Sequence, residues 1–337
     1  MDGDIEEIRD GPGPIEGVAT ATAGFAGPEG PEAPTAVTGA ADLTALLGET
    51  GAPLARMAAG FFANGGRRAY VARAIDDLGA VEEVSLLCPL PGDTMAAIAQ
   101  CERRRDRIAI VSLPAGLADA RAVLAGRPAE PSAFAALHHP WVRAGGALTP
   151  PGGHVAGLYA RSDLEHGVGH APTDLTLRGL DPEPLERVLG EAEAEQLGAG
   201  AVNVLRLSGG HVRLWGARTF TSDDAWKYVT VRRLLIFLKA SLDRGLQWTV
   251  FEPNGEPLWA AVRRAVEGFL TVLWRAGDLV GSRAEEAFFV RCDRTTMTQD
   301  DLDAGRLVCV VGVAPLKPAE FVIIRFGQWT ADRRGTP

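Results

Sequence analysis

Residues 223–259, "DDAWKYVTVRRLLIFLKASLDRGLQWTVFEPNGEPLW", carry the pattern from which the fold is read. Val231, Leu234, Leu235, Leu238 and Leu242 recur at helical spacing, so the stretch through Gly245 reads as a long helix with an apolar stripe. Ile236 and Phe237 widen the stripe, which implies packing from more than one side. "LQWTVFE" then reads as a strand and residues 256–276 as a second helix. Between them Asn254 and Gly255 supply a turn, and Pro257 falls in the first helical turn, where its missing N–H costs nothing. Glu252 and Glu256 are residue types of a general acid/base pair. A carboxylate at a helix N-terminus also answers the helix dipole, and the corner reads as structural.

Upstream, helical and strand periods alternate. Asp42 is an N-cap candidate for "DLTALLG", and "PLARMAAGFFANGG" is a second helix stopped at Gly65 and Gly66. Strand-like "RAYVARA" and "EEVSLLC" follow, then helical "DTMAAIAQCERRR", strand-like "RIAIVSL" and helical "GLADARAVLAG". Alternation of this kind predicts an α/β layer with a mainly parallel sheet. Residues 10–40 are rich in Gly, Pro, Ala and Thr and read as an extended or loop segment. Residues 126–153 are again broken by Pro and Gly, and "HVAGLYARSDLEHG" holds a short helix. "AVNVLRL", "VRLWGAR", "RLVCVVGVA" and "AEFVIIRFGQW" read as strands. The expected fold is α/β: an N-terminal arm (1–35), a mixed α/β domain (36–200), a C-terminal α+β domain (201–318) and a C-terminal arm (319–337).

Composition limits the function. A chain of 337 residues suits about two domains, and 46% hydrophobic residues are enough for a core. A net charge of -9 argues against a nucleic-acid binder, which needs clustered Lys and Arg. Eight of the first 35 residues are Asp or Glu against the single Arg9, so the acidity is concentrated at the start. The start is acidic where an export signal is basic, and no apolar stretch approaches the roughly 20 residues that span a bilayer. A soluble protein, cytoplasmic at synthesis, is expected. Cys88, Cys101, Cys292 and Cys309 are scattered, as suits reduced thiols.

The candidate chemical sites are weak. His166 and His170 stand four apart, like two zinc ligands on a helix, but glycines intervene and the Glu of H-E-x-x-H is missing. His138 and His139, before Pro140 and Trp141, read as a packed loop. "GPGPIEG" resembles a phosphate loop, yet Pro12 and Pro14 remove N–H donors that such a loop uses. P-loop and nucleophile-elbow motifs are missing. No catalytic residue, cofactor or metal is expected. On the second helix Arg263, Glu267, Thr271 and Arg275 recur every four residues, with Arg264 beside them, opposite Leu258, Val262, Val266, Phe269 and Leu273. That face is either solvated or a docking face for an acidic partner.

Taken together, "LWGART", "DDAWKYVTVRRL", "QWTVFEPNGEPLW" and the run from "FLTVLWRAGDLVG" to "AEFVIIRFGQ" resemble the C-terminal domain of contractile tail sheath proteins of phages and phage-like injection systems. "PIEGVATATAGFAG", "FFANGGRRAYVAR", "CERRRDRIAIVSLP", "HHPWVRAGG" and "PPGGHVAGLYARSDLEHGVGHAP" resemble the same family in the same order. The resemblance implies an outer α/β domain and an innermost C-terminal sheath domain, stacked as six-membered rings around an inner tube. Terminal arms would add strands to the sheets of neighbouring copies. Ile5 and Ile8 are the apolar residues of "DGDIEEIRD" at the start of the first arm; Phe321, Val322, Ile323, Ile324 and Phe326 alternate along the last. Arg263, Arg264 and Arg275 would meet the tube. Contraction would drive the tube through a target membrane, with further copies, the tube, baseplate and cap proteins as partners, without nucleic acid, direct membrane insertion or a cofactor. "DGDIEEIRD" stands where family members usually carry an apolar strand of Pro-Gly-Val-Tyr type. Large extra outer domains are missing, which favours an injection system over a long phage tail. A terminal-ring or cap-proximal paralogue, and an α/β enzyme, are the alternatives.

Overall fold

The computed structural model describes residues 13–48, 51–126 and 131–317. The chain first lays down β1 (Ala23–Ala26), β2 (Thr35–Val37), α1 (Ala40–Leu47), α2 (Pro53–Ala63), β3 (Ala69–Ala72), β4 (Leu86–Pro89), α3 (Thr94–Arg104), β5 (Ile108–Ser112) and α4 (Leu117–Ala125). There follow β6 (Ala135–His139), a small separate hairpin of β7 (Val142–Ala144) and β8 (Ala147–Thr149), α5 (Gly152–His166), α6 (Glu191–Ala199), β9 (Val202–Ser208) and β10 (His211–Trp215). Eight of these strands form one sheet in the order β10-β9-β6-β5-β4-β1-β3-β2. The interior pairs are parallel, and β2 and β10 run antiparallel at the two edges. β5, "IAIVS", is buried along its whole length, as a strand covered on both faces must be. Ile108 and Ile110 face a layer containing α1, α2 and α5; Ala109 and Val111 face α3, α4 and α6.

Small residues set the closest approach in this layer. A Cβ on Gly153 of α5 would lie 1.8 Å from the Met57 carbonyl oxygen of α2, and one on Gly157 would lie 2.5 Å from that of Phe61. Glycine at these two positions lets the helices meet backbone to backbone. α5 begins at Gly152 and runs for 15 residues, longer than the short helix expected from "HVAGLYARSDLEHG".

The remaining described residues form a smaller unit of α7 (Val229–Gly245), α8 (Glu256–Ala276), α9 (Ala284–Ala287), β11 (Phe288–Arg291), α10 (Gln299–Asp303) and β12 (Val310–Val313). β11 and β12 form a two-stranded antiparallel sheet. Leu234 and Leu238 of α7, Val262, Val266 and Leu270 of α8, and Ile15 from the first described residues share its core.

Several segments differ from the sequence reading. Residues 10–40 do not form a loop throughout: β1, "AGFA", lies inside the sheet between β3 and β4. A Cβ on Gly24 would sit 3.0–3.2 Å from Val84, Leu78 and Leu87, so tight packing demands the small residues that made the segment look unstructured. The part of the expected arm from Ala23 to Thr35 therefore belongs to the layer. β9 and β10 also join this sheet, so the layer runs past residue 200, the expected domain edge, to Trp215. β6 crosses a stretch expected to be irregular. "LQWTVFE" is not a strand: Gln247–Thr249 form a 3-10 turn closed by the Thr249 N–H to the Leu246 carbonyl. α7 starts at Val229 instead of Asp223, because the Asp223 carboxylate accepts the Ala225 N–H at 2.9 Å and holds a turn. Asp42 sits inside the first turn of α1, accepting from the Thr38 N–H and hydroxyl, while Gly39 is the N-cap. The last expected strand, "AEFVIIRFGQW", lies outside the described residues.

Candidate functional site

The features with functional geometry are surfaces and joints. The first is the β11–β12 pair. Phe288 and Val290 join the core of the smaller unit, while Phe289 and Arg291 point outward, the alternation of a half-buried strand. Phe289 pairs with Gly312, where a Cβ would lie 2.1 Å from the Phe289 ring; glycine there makes room for the aromatic. Phe289 and Val310 stay exposed. After β12 the chain is tied by the Leu316 N–H to the Asp278 carbonyl at 3.2 Å, next to the last described residue, Lys317.

The second is the joint between the sheet layer and the smaller unit. Arg233 of α7 donates to both carboxylate oxygens of Asp163 on α5, at 2.8 and 2.6 Å, and to the Thr20 carbonyl at 2.9 Å. The Thr20 hydroxyl also donates to Asp163. Both charged side chains are buried, and the guanidinium lies 4.9 Å from the Tyr159 ring centroid. Nearby, Ile15 packs on Gly245, and the Val18 N–H donates to the Ser241 hydroxyl, so the first described residues are bound along α7. Asp163 and Arg233 stand 70 residues apart. No local sequence signal joins them, and the sequence reading missed the pair.

The third is the arginine face of α8. Arg264 and Arg275 are exposed, but Arg263 is half-buried and donates to the Cys292 carbonyl at 3.2 Å, which ties α8 to the end of β11. Ile5, Ile8, Phe321, Val322, Ile323, Ile324 and Phe326 lie outside the described residues.

The candidates for small-molecule chemistry do not converge. Glu252 and Glu256 are both exposed at the α7–α8 corner. The His166 and His170 rings are 6.0 Å apart, but α5 ends at His166, so they do not share a helix. Among the described residues no group of three or more His, Cys, Asp or Glu is placed to hold a metal ion. His138 and His139 are packed in β6, with His138 Nδ1 3.2 Å from the Val111 carbonyl. Burial lowers both imidazoles, and that of His154, to about 4. Burial likewise pushes the Cys309 thiol up to about 12. No described helix is long and apolar enough to cross a membrane.

Comparison with known proteins supplies what the geometry alone does not. Residues 221–328 match the phage tail sheath C-terminal domain family. The chain superposes on the sheath of an extracellular contractile injection system, the PVC sheath complex in its contracted state, with a TM-score of 0.87, 29% identity and 97% of each chain covered. The contracted helical sheath of the anti-feeding prophage gives a TM-score of 0.81 at 28% identity, over 97% of this chain and 98% of that one. A prophage major tail sheath protein of Pseudomonas aeruginosa (strain UCBPP-PA14) is 25% identical over 191 residues, which span 54% of this chain and about half, 47%, of that relative. A sheet with helices on both faces, followed by a small C-terminal unit, is thus the architecture this chain shares with those sheath subunits. Residues 221–328 thus carry the phage tail sheath C-terminal domain, and the chain as a whole is similar to the sheaths of contractile injection systems.

Proposed function

We propose that this chain is the sheath protomer of a contractile injection system, polymerising as stacked rings around an inner tube and shortening to push that tube through a target membrane. The observation that carries this reading is the agreement over 97% of both chains with a sheath of an extracellular contractile injection system. Its work is mechanical, with no catalytic step.

The two-stranded β11–β12 sheet supports a linkage by strand addition. Each added backbone hydrogen bond contributes about 0.5–1.5 kcal/mol net, so a few bonds, repeated at every copy, hold a lattice whose subunits move as rigid bodies. In this reading the segment after Lys317, with Phe321, Val322, Ile323, Ile324 and Phe326, pairs with a neighbouring copy, and Ile5 and Ile8 serve the other end. Arg275, exposed at the C-terminal end of α8, is the cation assigned to the tube; Arg263 already serves its own fold. Cap and baseplate proteins close the two ends. Deleting residues 319–337 tests the linkage: the expected product is a folded protomer that no longer sediments as polymer. Normal tubes from the truncated chain would refute strand addition by this segment.

A further inference from the structure

The α7–α8 corner displays a side chain that the protomer itself does not use. Phe251 is fully exposed, at 102% of its reference area, and Val250 beside it is 53% exposed. Phe251 has φ of +74°, a conformation that bulky residues rarely hold. Strain of this kind persists only where the surroundings over-determine it, and it clusters at functional positions. The surroundings here do so. The Val250 and Glu252 N–H groups donate to the carbonyls of Gln247 and Thr249, both at 3.2 Å. Asn254 then accepts from the Trp259 indole at 2.8 Å and donates to the Arg306 carbonyl at 3.2 Å. Four hydrogen bonds thus fix a corner that holds an aromatic ring in solvent.

A matching recess lies elsewhere on the same chain. Pro14, Ala261, Ala265, Phe269 and Val272 line a groove of about 380 Å³ along α8. A Cβ on Gly268, in its lining, would meet nothing within 4 Å. Roughly 150 Å³ is enough to hold a benzene ring. Arg264 borders this groove, and Glu252 follows Phe251 in the chain. The apolar ring and its acidic neighbour therefore match an apolar groove with a basic edge. Since Phe251 is fully exposed, its own groove does not receive it. A knob and a recess at different places on one chain make a heterologous contact, which propagates as rings or helices.

We infer that Phe251 of one copy seats in the α8 groove of a second copy, with Glu252 paired to Arg264 across the contact. The inference rests on the sheath-protomer reading and adds to it a contact between copies separate from strand addition.

The test measures polymerisation of the full chain by sedimentation. Phe251→Ser should raise the critical concentration about tenfold or more, which corresponds to about 1.4 kcal/mol per contact. Its circular dichroism and melting temperature should match wild type, because the ring is fully exposed and packs on none of the described residues. Glu252→Arg and Arg264→Glu should each weaken assembly, and the double variant should recover it. Copies carrying Phe251→Cys, mixed into one polymer with copies carrying Val272→Cys, should cross-link as dimers through a short bismaleimide, above the wild-type background. Wild-type critical concentration for Phe251→Ser together with no cross-link overturns the knob while leaving the sheath reading intact. Cross-linking of the Phe251→Cys copies to the tube protein, instead of to the Val272→Cys copies, overturns it too. So does an N-terminal segment found covering the groove, seen as cross-linking within one chain that carries both Ile5→Cys and Val272→Cys but not in the chain that carries Val272→Cys alone. Wild-type protein that never polymerises overturns both readings together.

Discussion

Replacing Arg233 with Met removes the cation at the joint while keeping much of its length. Arg233 makes three charge-assisted hydrogen bonds, two to Asp163 and one to the Thr20 carbonyl. At about 1.5–3 kcal/mol each, these amount to several kcal/mol before compensation. Part returns because a buried guanidinium no longer has to be stripped of water, but Asp163 is left buried with the Thr20 hydroxyl as its partner. Breaking one side of such a pair costs about 3–5 kcal/mol, roughly two to three and a half orders of magnitude in the folding equilibrium. Urea unfolding of the full chain, kept dilute enough to stay monomeric, should register this loss. R233M combined with Asp163→Leu should recover most of it, since a buried pair exchanged for packed apolar groups is often neutral. A cost below about 1 kcal/mol for R233M, or a double variant no better than the single one, would show that the joint is not held by this pair.

Other consequences follow from packing and protonation. Gly153→Ala would press a methyl into the Met57 carbonyl and should destabilise by about 1–3 kcal/mol or more; Gly268→Ala, facing open space in an α8 turn, should gain about 0.5–1 kcal/mol, and thermal melts that fail to separate the two would contradict the α2–α5 crossing. His138 and His154 are held neutral in the folded state to about 4. An unfolded imidazole titrates near about 6.5, so the unfolded chain binds more protons between the two values. Stability is full above about pH 6.5 and falls toward pH 4, by about 2 kcal/mol per histidine at pH 5; His154→Gln should flatten the slope, and an unchanged pH profile would count against its burial. Arg275→Glu should weaken assembly on the tube but not melting of the protomer, and salt should mimic it on wild type, as exposed ion pairs are screened.

Much of the fold was legible because its elements follow local rules. β3, β4, β5 and the helices between them show the α/β alternation directly, and α8 shows its stripe and its Pro257 start. What escaped was set by distant neighbours. β1 is a strand because β3 and β4 flank it, although "AGFA" has little strand propensity of its own. β6 ends in two histidines, whose burial between β5 and β9 no periodicity announces. "LQWTVFE" has strand composition, but local bonds at Thr249 and Val250 close it into turns. The arginine face was visible as spacing, yet only the fold shows that Arg263 is taken by Cys292 while Arg264 borders a groove.

The most direct test of the sheath reading is electron cryomicroscopy of the purified wild-type chain with its tube partner. Stacked six-membered rings enclosing the tube are expected, with β11 and β12 extended by strands from neighbouring copies and the Phe251 corner in contact with an adjacent α8. A discrete monomer that leaves the tube bare, under conditions where a related sheath assembles, would contradict it.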